Sequence, residues 1–386
     1  MKKINIGLFV DTYFPMIDGV IMVVDNYAKR LAKYANVYVF APKIPGKRND
    51  DSIYNYNVIR CKSISVIGLD YSLPIPDIDK KFKDKIDECN LDIIHIHSPI
   101  TIGNVALKYA KKNNIPVIAT MHSQYKQDLM RMTKSKTITN IVLKRIVKLF
   151  NSCDECWTLN EKIASIFKEE YGYIKEPILV NNATEMIPIK DKEKSNKIIN
   201  EKYNLSDEKV LIFVGRINKL KNIELIVKAL KRVTKIKYKM FFIGTGQDEE
   251  FLKKLIKENS LNDKIKLLGK ITDREELARF YARSDLQLFP SMYDTNSLVQ
   301  IEAASQSTPT LFVSGAATAC NIIDGINGYI AENKVLDYAN KIEEILLDQD
   351  KLKLVSENAY KELYVNWDDE VERIYNRYLD IIKKSK

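Results

Sequence analysis

The sequence predicts an α/β chain of two Rossmann-like domains. Three observations predict it: a length of 386 residues, two successive runs of strand-loop-helix alternation, and a polar interruption between them. A chain this long can bury two cores of ordinary size. In the first run, residues 4–10 read as a buried strand followed by the loop DTYFPMIDGV. Apolar positions then recur at helical spacing over 22–35, and 37–40 read as a second strand. Strands at 92–95, 117–120 and 155–159 and helices at 102–113 and up to residue 150 continue the alternation. Such an order predicts a parallel sheet with its ligand crevice at the carboxyl ends of the strands. Residues 49–76, with Tyr54, Tyr56 and Tyr71, are the least regular part of this half.

Strand 177–180 leads into NNATEMIPIKDKEKSNK, which loses apolar periodicity and gains lysine, proline and acid, as a linker does. The second alternation has strands at 210–214, 240–243, 265–268 and 286–290 and helices at 223–233, 249–259 and 274–282. Domains are therefore expected at 1–182 and 183–366, facing each other across a ligand cleft. A last helix, 367–383, carries Val371, Ile374, Tyr375, Tyr378, Leu379 and Ile382 on one side. It can pack on either domain, a return of residues 367–386 to the first being one option, and the sequence does not choose between them.

With 45% hydrophobic and 29% charged residues the chain is globular, and no apolar run reaches the ~20 residues of a membrane span. The start MKKINIGLFV resembles a signal peptide, but its apolar run ends at Asp11, Tyr13 and Pro15, so it reads as a first strand. Five scattered cysteines fit a reducing compartment. Cys153 and Cys156 form a C-x-x-C, yet no second pair or nearby histidine completes a zinc site, and zinc is not expected. The net charge of +10 allows nucleic acid, an anionic membrane surface or solubility alone. Lysines interleave with acids along helices such as EEFLKKLIKEN, and no nucleic-acid module is present, so no nucleic-acid partner is expected.

The candidate chemistry concentrates at strand ends. After the apolar run 286–290, Asp294, Thr295, Asn296 and Ser297 supply N-cap material, and helical spacing starts at Leu298, so Glu302 lies about one turn into a helix. Helix-terminal amides suit a phosphate, and flanking carboxylates suit sugar and ribose hydroxyls. In GRINKLKN, Gly215, Arg216 and Lys221 follow strand 210–214, and the two cations can neutralise a diphosphate. A solvated basic turn is the bland alternative. Gly244 and Gly246 form a G-x-G without the third glycine of a dinucleotide fingerprint, so tight-turn geometry suffices to explain them. Asp18 and Gly19 lie in the first strand's loop, where Gly19 either admits a ligand or simply turns the chain.

All three histidines fall at strand ends: His95 and His97 in HIHSP, His122 in TMHSQY. Positions two apart on a strand share a face, which allows a metal at His95 and His97. No third carboxylate ligand is near, so His97 and His122 are instead expected to line the cleft. Over 126–150, Lys126, Arg131, Lys134, Lys136, Lys144, Arg145 and Lys148 face a single acid, Asp128, amid apolar residues. That composition suits an anionic lipid surface; an ordinary helix with a solvated lysine face is the alternative.

Together these residues resemble the retaining glycosyltransferases of GT-B fold, family four. The likeness spans nearly the whole chain. Its most specific parts are the Asp294-to-Glu302 spacing, similar to E-x7-E, and GRINKLK, similar to G-R-x4-K. DTYFPMIDGV, HIHSPITIG and DTNSLVQIEA look most like the diacylglycerol glucosyltransferase branch. The resemblance implies transfer of a hexose, glucose from UDP-glucose, with retention, to a lipid such as diacylglycerol. It implies no bound metal or other cofactor. Arg216 and Lys221 would hold the diphosphate, with amides of Ser297 and Leu298 adding donors. Glu302 would accept from ribose, Asp294 would grip the sugar, and His122 would approach it from the other domain. Gly19 and Gly215 would line the donor site, and backbone near Lys270 and Ile271 would contact the base. Asp294 replaces the usual glutamate, Ser297 and Ala183 replace glycines, and Cys320 stands where glutamate is frequent. The expected location is cytoplasmic, peripheral to the inner face of the membrane. Two other readings stand: transfer to a lipid-linked acceptor in capsule or surface-polysaccharide assembly, and a nucleotide-sugar-binding protein without turnover.

Overall fold

A computed structural model describes residues 3–16, 18–46, 50–65 and 72–385. Asn49 and Tyr71 lie outside the described residues. The chain divides into two compact units, Met1–Asn182 with Trp367–Lys386, and Ala183–Asn366.

The strands of unit one are β1 Asn5–Phe9, β2 Asn36–Pro42, β3 Asn57–Cys61, β4 Ser63–Ser65 and β5 Ser72–Pro74. They continue with β6 Ile93–Ile96, β7 Val117–Met121, β8 Glu155–Thr158 and β9 Ile178–Leu179. Seven of them form a parallel sheet in the order β3-β2-β1-β6-β7-β8-β9, with β4 and β5 as a separate antiparallel pair. Strand order reverses at β1, between β2 and β6, the switch point where a parallel sheet opens a crevice. Near-continuous apolar strands such as Val117–Met121, buried throughout, are what a sheet covered on both faces requires. The helices are α1 Gly19–Leu31, α2 Lys80–Glu88, α3 Ile102–Asn113, α4 Tyr125–Thr133, α5 Lys136–Asn151 and α6 Glu161–Ser165.

Two expectations are corrected here. Helix α1 starts at Gly19 rather than at residue 22, because the Asp18 carboxylate accepts from the Ile21 amide at 2.9 Å and closes the first turn. Gly19 is thus a helical residue, exposed, with open space where a Cβ would stand. The basic stretch is two helices: Lys134 is left-handed at φ 50°, ending α4, and the Ser135 side chain caps α5.

Unit two contains α7 Lys192–Tyr203, β10 Lys209–Val214, α8 Ile223–Leu230, β11 Tyr238–Ile243, α9 Glu249–Glu258 and β12 Ile265–Leu267. It continues with α10 Arg274–Arg283, β13 Leu286–Leu288, α11 Leu298–Ser305, β14 Thr310–Val313, β15 Tyr329–Ala331, α12 Val335–Leu347 and α13 Gln349–Leu363. Its parallel sheet runs β12-β11-β10-β13-β14-β15. Leu211 and Phe213 face one apolar layer, with α8, α9 and α12, and Ile212 and Val214 face the other, with α7 and α10. Part of the expected linker is helical: Asp191 caps α7 by accepting from the Lys194 amide.

The last helix, α14 Trp367–Ser385, belongs to unit one. Trp367 meets Tyr27 of α1 edge-on at 5.6 Å, and Tyr378 stacks on Trp157 of β8 at 5.7 Å. Arg377 binds both carboxylate oxygens of Glu155.

Glycines let two strand-end loops of unit two touch. A Cβ on Gly244 would lie 1.9 Å from the Gly215 carbonyl oxygen, and one on Gly246 would lie 2.1 Å from that of Ile217. Gly244 also has φ 136°, a conformation other residues rarely adopt. Gly244→Ala should therefore destabilise unit two by about 3 kcal/mol, through overpacking plus backbone strain. Urea unfolding checks this; a midpoint equal to wild type contradicts it.

Candidate functional site

In unit two, β10 lies between β11 and β13, so the loops after these strands emerge side by side. After β10, Gly215 donates its amide to the Ile243 carbonyl at 3.0 Å, and buried Ile217 pins the loop to the core. Arg216 between them is exposed. Asn218 accepts from the Lys221 amide, forming a short turn that turns the Lys221 side chain toward the loop after β13. There its amine donates to Asp294 Oδ1 at 2.5 Å and lies 5.6 Å from the centre of the Phe289 ring. Both side chains are largely shielded, at 17% and 19% exposed, so this pair feels less screening than a surface one. Asp294 Oδ2 is buried with no hydrogen-bond partner. The lysine expected on a diphosphate and the acid expected on a sugar thus neutralise one another.

Ser297 is the extended N-cap of α11, buried, and its hydroxyl makes no capping bond. One turn on, Glu302 is buried; the Arg274 guanidinium donates to its Oε1 at 2.6 Å and the Tyr281 hydroxyl to its Oε2 at 3.3 Å. Burial raises the Glu302 pKa, and Arg274 opposes the rise. Lys270 is exposed, while half-buried Ile271 packs its side chain on the α7–α10 layer. Ala183 is buried and Cys320 is exposed.

In unit one the three histidines are buried at the ends of β6 and β7. His95 bonds Tyr378 of α14 through Nδ1 at 2.6 Å and Thr120 through Nε2 at 2.7 Å. With both ring nitrogens engaged, His95 has no lone pair to offer a metal, which overturns the paired-ligand alternative. His97 Nδ1 lies 3.0 Å from His122 Nε2, and His97 Nε2 is buried without a partner. His97 and His122 thus stand side by side at the ends of adjacent strands. Among the described residues no group of three or more His, Cys, Asp or Glu could hold a metal ion. Cys153 and Cys156 are buried thiols donating to the carbonyls of Leu149 and Phe150.

Sequence reasoning missed Asp11, Arg274, Tyr281 and Tyr378. Buried Asp11 accepts from the Ile102 amide at 2.8 Å and the Thr101 hydroxyl at 2.6 Å, so it anchors the start of α3 beside the histidines' strand. Arg274 and Tyr281 stand two turns apart on α10, a spacing that puts them on one face and was the available signal.

All seven expected cations of α4 and α5 are exposed: Lys126, Arg131, Lys134, Lys136, Lys144, Arg145 and Lys148. Lys126 pairs with Glu170 at 3.3 Å and Arg131 with Asp128 at 2.6 Å. Among the described residues no carboxylate pairs with the other five. Met132, Ile138 and Ile141 stand out among them, 65%, 50% and 50% exposed.

Two doubly wound parallel units, the second with a cation loop and a carboxylate loop on adjacent strand ends, define a GT-B fold. Two solved structures share it across almost their full length. Sucrose-phosphate synthase of Thermosynechococcus elongatus superposes with a TM-score of 0.79 at 19% identity, covering 99% of this chain and all of that one. Anabaena HepE in complex with UDP gives 0.79 at 14%, covering 98% and 100%. Family models match both units: Glycosyltransferase Family 4 over 17–181 and Glycosyl transferases group 1 over 195–362. The chain belongs to the family-four glycosyltransferases. A curated relative, the alpha-monoglucosyldiacylglycerol synthase of Acholeplasma laidlawii, is 28% identical over 99% of this chain and 98% of its own.

Burial lowers the pKa of His95 and His97 well below 6.5 and that of His122 to about 3. The unfolded chain therefore takes up protons first as pH falls, so the stability these neutral rings contribute is present above 6.5 and lost below it. Each histidine should cost up to about 1.4 kcal/mol per pH unit there. Urea unfolding across about pH 7.5 to 5 should show stability falling with pH, more shallowly in His122→Asn; equal slopes contradict the assignment.

Proposed function

We propose that this glycosyltransferase moves a hexose, glucose from UDP-glucose, to a membrane lipid such as diacylglycerol, with retention at the anomeric carbon. The observation that carries the acceptor is the α4–α5 surface, where Met132, Ile138 and Ile141 protrude among five cations that have no carboxylate partner among the described residues. Apolar side chains that insert beside lysines that attract anionic headgroups are the two signals a peripheral membrane contact needs. The relative in Acholeplasma laidlawii is named for a glucolipid product, and the HepE structure holds UDP, which supports the donor. No helix among the described residues is long and apolar enough to cross a membrane.

The donor reading assigns roles in unit two. Arg216 and Lys221 meet the diphosphate, Lys221 exchanging part of its contact with Asp294 for phosphate oxygen. Asp294, its Oδ2 lacking a partner, accepts from sugar hydroxyls. Amides at Ser297 and Leu298 add charge where the helix begins. Glu302 accepts from ribose, and backbone at Lys270 and Ile271 takes the base. As the bond from the anomeric carbon to phosphate breaks, the two cations stabilise the departing oxygen, which takes the acceptor hydroxyl's proton as the new bond forms on the same face. These cations supply the charge that a metal would, so EDTA should leave the rate unchanged.

A second reading, transfer to a lipid-linked glycan acceptor, uses the same surface. Assays with UDP-glucose and diacylglycerol in anionic vesicles, in parallel with lipid-linked oligosaccharide, separate the two. Glucolipid from the first is expected; product only from the second overturns the acceptor assigned here. Replacing Lys134 and Lys136 by Gln should weaken vesicle binding by about 2 kcal/mol, one for each charge, while leaving UDP affinity unchanged. Vesicle cosedimentation measures the first and calorimetry the second. Unchanged cosedimentation contradicts a membrane role for α4–α5.

A further inference from the structure

We propose that Arg274 is the positioning residue of the donor site: by holding one oxygen of Glu302 while Tyr281 holds the other, it keeps that carboxylate ionised and aimed as an acceptor for ribose hydroxyls. The inference rests on the ribose role given to Glu302 above, and it adds the device that makes the role workable. A buried carboxylate prefers to be neutral, and a neutral carboxyl offers a donor where the ribose requires an acceptor. Glu302 is only 8% exposed, and its chain neighbours Ile301, Ala303 and Ala304 are buried and apolar. Something must hold the charge there.

The geometry supplies it from one helix. Arg274, first residue of α10, reaches Glu302 Oε1 at 2.6 Å, and Tyr281 reaches Oε2 at 3.3 Å. Each oxygen has more than one lone pair, so one protein donor per oxygen leaves both able to accept from a vicinal diol. A two-point hold also removes the side chain's rotational freedom, which the ligand would otherwise have to remove on binding. The groups acting on Glu302 are Arg274 and Tyr281 from α10 and Glu185 from the segment ahead of α7. Glu185 repels its charge, so Arg274 opposes both burial and Glu185. Helix α13 also packs on α11, and among the described residues it places no hydrogen-bond or ion-pair partner on Glu302. Asp273 anchors the position of Arg274 by capping α10 through the amides of Glu275 and Glu276. The Arg274 side chain is 45% exposed, so it can adjust to a ligand without a core rearrangement.

The test uses the full chain with 13C-labelled glutamate carboxyls, the Glu302 signal being the one absent from E302Q. In Arg274→Ala the Glu302 titration should move upward relative to wild type, and Arg274→Lys should restore most of the difference. UDP affinity of Arg274→Ala should fall about tenfold near pH 6 and much less near pH 8, because only the ionised acid accepts through both oxygens; wild type should stay nearly flat. An unmoved Glu302 titration in a folded Arg274→Ala chain overturns the proposal, as does a loss of UDP affinity equal at both pH values. If the titration moves as expected but E302Q binds UDP like wild type, it is the ribose assignment that fails, and the charge-holding pair stands.

Discussion

The position of β10 between β11 and β13 is the constraint on which the candidate site of unit two depends. Parallel strands carry all their carboxyl ends to one edge, so three loops distant in sequence converge there. The loop after β10 brings Lys221, the loop after β13 brings Asp294, and the loop after β11 must be almost side-chain-free to fit against the first. Without that strand order the lysine and the acid, 73 residues apart, would have no reason to meet. The glycines at 244 and 246 are therefore packing elements of the site rather than remnants of a dinucleotide motif.

Charge on this edge is arranged in pairs that a ligand can enter. Lys221 with Asp294 and Arg274 with Glu302 each join a cation from one loop or helix start to an acid from the segment running from β13 into α11. Paired and partly shielded, the acids avoid the cost of lone buried charges. In the donor mode proposed above, a diphosphate would share Lys221 and a diol would share Glu302 without either pair being rebuilt. Unit one handles its buried polar groups differently, by linking them: Tyr378 to His95, His95 to Thr120, His97 to His122. The first link ties the chain's last helix to the end of β6, so α14 is part of the support beneath the histidines.

Much of the fold was legible because parallel strands buried on both faces leave unbroken apolar runs, as at 117–120 and 210–214. The family motifs were legible because each is compact: Gly215 to Lys221, and Asp294 to Glu302. What stayed hidden depends on chain reversal and on pairing. The break at Lys134 rests on a left-handed backbone that lysine seldom adopts, so composition gave no sign of it. Helix α7 hid in a lysine-rich stretch whose few apolar residues show little periodicity. Local sequence suggests Asp294 as a sugar ligand and Lys221 as a phosphate ligand, and nothing in it indicates that they bond to each other. Arg274 and Tyr281 carry no motif, and only the packing of α10 on α11 turns them toward Glu302.

The anomeric configuration of the product is the decisive measurement for the proposed retaining transfer of glucose to lipid. The full chain is incubated with 13C-labelled UDP-glucose, whose sugar is α-linked, and diacylglycerol in anionic vesicles, and the lipid fraction is read by NMR. An α-linked glucosyldiacylglycerol is the predicted result. A β-linked product, or label that never reaches the lipid while UDP is bound, would contradict it.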